Sequence, residues 1–102
     1  MFDRGIPSTG TFAELATQWG VVPYYEGFDA FKVADLLANI ESLGDRILEM
    51  SRNTNLPQRF NDKKAMIFLN RLLECYAEPL KNTREFVQIS IEIRKLEKES
   101  EV

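Results

Sequence analysis

The sequence predicts an all-α fold: a helical hairpin with a short N-terminal helix, associating as a dimeric helical bundle. Three observations predict it. Between residues 30 and 51, Val33, Leu36, Ile40, Leu43, Ile47 and Met50 recur in alternating steps of three and four. That is the a/d seam of a helix packed along another helix, and Leu37 and Leu48 widen it into a face broad enough for a bundle core. A second series, Ala65, Phe68, Leu72, Cys75, Pro79, Asn82, Phe86, Ile89, Ile93 and Leu96, keeps one heptad phase through residues 61–98. Between the two, Asn53, Thr54, Asn55 and Pro57 stop a helix and suit a turn between antiparallel partners. The 102 residues are expected to form a single helical domain: 1–28 a short helix plus an aromatic loop, 29–52 a long helix, and 61–98 a long helix kinked near Pro79.

The short helix follows from its ends. Thr11 with Glu14 three residues on makes a capping box, and Phe12, Leu15, Ala16 and Trp19 share one face. Gly20 supplies the left-handed position that closes a helix, with Val21 as the apolar residue after it. About two turns of helix are not stable alone, so this one must dock. The same stretch resembles the first helix and turn of a helix-turn-helix, but Pro23 interrupts the place of a recognition helix. Residues 5–10 have the glycine spacing of a phosphate loop, yet Thr11 and Phe12 stand where Lys and Ser or Thr are required.

Asp29 is a fitting N-cap for the first long helix. Gly44 sits in that helix's interior, where it costs about 1 kcal/mol relative to Ala, and a close approach by another element would explain it. Asn61 caps the second long helix, with Asp62 favourable in its first turn. At Pro79 two readings stand. One is a kink in a continuous helix; the other is a turn over Glu78–Lys81, with Asn82 and Glu85 capping a separate helix. The unbroken phase favours the kink. Residues 87–93 also alternate like a strand, but no good pairing partner exists, so helix is expected. In a helix, Val87 and Ile91 fall away from the Phe86, Ile89, Ile93 and Leu96 seam. Apolar residues on two sides of one helix point to a homodimer, with Phe86, Val87, Ile89, Ile91, Ile93 and Leu96 as its candidate interface.

Composition narrows the chemistry. The chain has no histidine and one cysteine, Cys75. This removes the commonest general base, imidazole zinc sites and thiolate clusters, so no catalytic residues, metal or cofactor are expected. The acidic pairs Glu41/Asp45, Asp45/Glu49 and Glu74/Glu78 lie off the apolar seams and read as solvated faces. An internal disulfide is impossible, no signal-peptide run begins the chain, and no apolar stretch is long enough for a bilayer. A cytoplasmic protein without membrane contact is the expectation.

Charge is unevenly spread. Residues 1–50 hold three basic and eight acidic side chains, residues 51–102 ten and eight. Arg52, Arg59, Lys63, Lys64 and Arg71 surround the helix–helix turn with Asp62 as the lone acid. They are candidates for holding an anion or, as an alternative function, nucleic acid. Six of the eleven aromatic residues lie between Phe12 and Phe31. They either fold onto the long helices as a satellite core or form a partner-binding surface, of which Trp19, Tyr24, Tyr25 and Phe28 are the candidates. The leading functional expectation is a non-enzymatic interaction protein, an adaptor, regulator or inhibitor of a larger protein, displayed on a small helical dimer.

Overall fold

The computed structural model describes residues 11–21, 29–53, 55–57 and 60–100. All regular structure among them is helical: α1 (Phe12–Gln18), α2 (Ala30–Arg52), α3 (Asp62–Ala77) and α4 (Thr83–Ser100). The strand pattern of residues 87–93 is therefore helix, within α4.

Helix α1 is set by its own caps. Thr11 Oγ1 accepts the Glu14 N–H at 3.3 Å. At the other end Gly20 takes φ +76°, the Gly20 N–H reaches the Thr17 carbonyl at 3.1 Å, and the Val21 N–H reaches that of Ala16 at 2.8 Å. These paired bonds satisfy carbonyls that a helix end leaves open. Phe12, Leu15 and Ala16 are buried.

α1 docks on α2 through one residue used twice. The Phe12 N–H donates to Asp45 Oδ1 at 2.9 Å, placing a carboxylate at the positive end of α1. The Phe12 side chain lies directly on Gly44. A methyl at Gly44 would stand 2.9 Å from Phe12 Cβ and closer still to its ring. The glycine's helix penalty of about 1 kcal/mol is thus offset by burying a Phe side chain, an effect of about 1.5–3 kcal/mol. The same ring meets Tyr76 of α3 edge-on, with centroids 5.7 Å apart.

Asp29 caps α2 by accepting the Phe31 N–H, and Asn61 caps α3 by accepting the Lys64 N–H, both at 3.0 Å. The connector before α3 is anchored by buried Phe60, stacked on Phe68 at 6.0 Å. α2 packs on α3, and α3 packs on α4.

One expectation is corrected here. Residues 61–98 are not a single helix kinked near Pro79: α3 ends at Ala77 and α4 starts at Thr83. Proline crowds the residue before it out of the α region, and Glu78 accordingly lies at φ −137°, ψ 70°. The Asn82 N–H then returns to the Glu78 carbonyl at 3.0 Å, closing a tight turn. The Asn82 side chain donates to the Glu74 carbonyl at 2.9 Å, satisfying the open end of α3. Near the turn Cys75 reaches Asn82, one turn back Arg71 bonds to Glu85 and lies 3.3 Å from Glu92, and further back Lys64 and Phe68 share a cleft with Lys95 and Leu96, so α3 and α4 run antiparallel. α2 and α4 each pack along α3 across a short connection, so those two run parallel, with a cleft between them lined by Asn39, Ser42 and Arg46 of α2 and Phe86, Ser90 and Arg94 of α4. The result is an up-down-up arrangement of α2, α3 and α4, with α1 laid on α2.

The seam of α4 packs against α3 and α2. Ile89 and Ile93 are fully buried and Leu96 nearly so. They are buried within the chain itself, because the turn at Pro79 folds α4 back along α3. Val87 and Ile91 remain about half exposed.

Candidate protein-interaction surface

Two exposed aromatic residues flank the segment between α1 and α2. Trp19, the C-cap of α1, is 40% exposed, and Phe31, in the first turn of α2, is 87% exposed. Tyr24, Tyr25 and Phe28 lie outside the described residues. Phe31 was not among the candidate site residues. The signal for it is its position on the helix, half a turn away from Val33, Leu36 and Ile40.

Phe31 belongs to a longer open region. No side chain from Ala30 to Asn39 is buried; the first buried residue of α2 is Ile40. Val33, Leu36 and Leu37 continue the seam but are only partly covered, while Phe31, Ala34 and Ala38 are exposed. A capped helix holds this apolar stretch in one conformation, so little ordering is needed before a partner engages it.

The basic cluster is less coherent than its spacing implied. Arg71 is committed inside the fold: it bonds to Glu85, reaches Glu92, and lies 5.8 Å over the ring of Phe68. Its burial lowers the pKa, but the bond to Glu85 and the charges of Glu85 and Glu92 outweigh this, so the net shift is upward. Arg52, Lys63 and Lys64 are exposed, and Arg59 lies outside the described residues. The structure thus leaves Arg52 near the end of α2 and the two lysines in the first turn of α3, with Arg71 tied to α4.

The acidic pairs also have structural partners. Asp45 receives Phe12, and Glu78 lies 3.4 Å from Lys81. Arg46 on α2 pairs with Glu97 on α4 through two hydrogen bonds, and the Glu97 hydrogen bond is the main cause of its raised pKa. Among the described residues no three His, Cys, Asp or Glu side chains gather into a group that could hold a metal ion. Cys75 is buried and donates weakly to the Asn82 carbonyl at 3.4 Å. Burial, then the nearby Glu85 and Glu74 charges, push its thiol up to about 11, so it lacks thiolate character at neutral pH.

Among the described residues no helix is long and apolar enough to cross a membrane. Comparison of the chain with protein-family models, with curated proteins and with solved structures finds no match.

Proposed function

We propose that this chain is a non-enzymatic protein-interaction module, an adaptor, regulator or inhibitor of a larger protein, acting in the cytoplasm as a small helical homodimer. The observation that carries the reading is the open N-terminal part of α2, headed by Phe31 and neighboured in sequence by Trp19. Large aromatic side chains at a rigid helix end are the type of anchor that dominates protein interfaces. Burying each on a partner would contribute about 1.5–3 kcal/mol. The well-capped core of α1, α2, α3 and α4 serves this reading as the scaffold that presents them.

The test is an affinity pull-down from the native host, comparing the intact chain with a Trp19→Ala, Phe31→Ala variant. Both positions are exposed, so the variant is expected to keep its circular dichroism spectrum and its melting temperature. Loss of one or more specific partners supports the reading. A folded variant that retains every partner sinks it.

A further inference from the structure

Two outward-facing stripes on α2 and α4 match each other in spacing and oppose each other in charge. On α4 the stripe is Arg84, Val87, Ile91, Arg94 and Lys98, in steps of three and four. Val87 and Ile91 are 47% and 46% exposed, and Arg84, Arg94 and Lys98 are exposed as well. On α2 the stripe is Asp35, Ala38, Ser42, Asp45 and Glu49, in the same steps and likewise exposed. Base, branched apolar, branched apolar, base, base thus stands against acid, small, small, acid, acid.

The fold places these stripes at nearly the same heights. α2 and α4 run parallel: Arg46 pairs with Glu97, and Asn39, Ser42 and Arg46 share a cleft with Phe86, Ser90 and Arg94. Asp35 therefore lies close to the level of Arg84, Ala38 to Val87, Ser42 to Ile91 and Glu49 to Lys98. Four residues of the α2 stripe, Ala38, Ser42, Asp45 and Glu49, line an open cleft of about 490 Å³ that is also bounded by the Arg46–Glu97 pair. The α4 stripe has bulky side chains where α2 has small ones. Among the described residues Arg84, Arg94 and Lys98 make no ion pair within the subunit.

We infer that these stripes form an isologous homodimer interface, α4 of each copy seated on α2 of the other. A two-fold axis parallel to the helices keeps every residue at its own height. It brings Arg84 to Asp35 and Lys98 to Glu49 of the second copy, with Val87 and Ile91 over Ala38 and Ser42. Both contacts form at once, so the interface closes and no filament results. Asp45 already accepts the Phe12 N–H, so the charge matching rests chiefly on Asp35 and Glu49. This refines the homodimer part of the proposed function: the expected interface shifts from the buried Ile89, Ile93 and Leu96 to the exposed stripe and to α2.

Sedimentation equilibrium of the full chain tests it. The intact chain is expected to be a dimer at low salt and to weaken as salt rises. Ile91→Asp is expected to give a monomer. Glu49→Lys and Lys98→Glu are each expected to weaken the dimer about tenfold, and the two together to recover most of that loss. Circular dichroism establishes that each variant keeps its helix content. A dimer indifferent to Ile91→Asp and to both charge reversals overturns this interface while leaving the homodimer reading in place. Charge reversals that weaken the dimer but do not rescue each other overturn the pairing. A monomer at every concentration overturns the interface and the homodimer together, and leaves the partner-binding part to the pull-down.

Discussion

The two halves of α2 carry the same heptad seam and meet different fates. From Ile40 to Met50 the seam is closed: Ile40, Leu43, Ile47 and Met50 are buried. From Ala30 to Asn39 it is open, with Val33 and Leu36 only partly covered. Local sequence does not separate the halves, since each has its apolar residues in steps of three and four. The difference lies in what arrives from elsewhere. α1 lands on Gly44 and Asp45, and α4 pairs through Arg46 and Glu97. Periodicity marks which face of a helix wants a partner; other elements decide where along the helix one is found.

The sharpest test of this contrast is a pair of alanine substitutions. Ile47→Ala removes a fully buried side chain and is expected to cost about 2–5 kcal/mol in urea unfolding. Val33→Ala removes a partly covered one and replaces a β-branched residue with a better helix former, so a change within about 0.5 kcal/mol is expected. Comparable losses at both positions would mean that the N-terminal half of α2 is covered in solution, and the two halves would cease to differ.

A smaller effect tests why the closed half is closed. Gly44→Ala alone is expected to destabilise the chain by about 1–3 kcal/mol, because the methyl meets Phe12 and overpacking outweighs the helix gain. In a Phe12→Gly background the ring and its Cβ are both gone, and the same substitution should instead stabilise by about 1 kcal/mol, the ordinary glycine-to-alanine gain in a helix. The change of sign is the diagnostic. A gain in both backgrounds would show that Phe12 does not sit on Gly44, and α1 would lose its docking point.

What was legible in the sequence follows the range of the interactions involved. The ends of α1 were legible because a cap needs only its neighbours: Thr11 with Glu14, Gly20 with Val21. Gly44 was legible as a site of close approach, but not as the seat of Phe12, which is thirty-two positions away. The reversal at Pro79 was not legible from the seam, because residues that face a core keep the same heptad phase whether the chain runs on or folds back. The local rule that decided it was the one acting on Glu78, the residue before proline. The candidate surface was legible in part. Trp19, placed by its spacing on the apolar face of α1, is 40% exposed; Phe31 is discernible from its place opposite the seam; and the ties of Arg71 to Glu85 and Glu92 were not legible because those partners are distant in sequence.

The smallest expected effect compares the two environments through a thiol. Cys75 is buried and its pKa is pushed up to about 11 by burial and by Glu85 and Glu74. In the folded chain it should react slowly with iodoacetamide, because the thiolate is the nucleophile and is scarce. A thiol placed in the open half by Val33→Cys, in a Cys75→Ala chain, should react much faster at the same pH. The pH dependence carries a second sign. Between the ordinary thiol value of 9.0 and about 11 the unfolded chain loses a proton that the folded chain retains. Cys75 should therefore lower stability as pH rises through that window and have no effect below it. The Cys75→Ala chain should lack this part of the alkaline decline. Equal alkylation rates for the two thiols would show that the core around Cys75 on α3 opens as readily as the N-terminal half of α2, and the difference in burial between the two sites would then be a static arrangement without consequence for access.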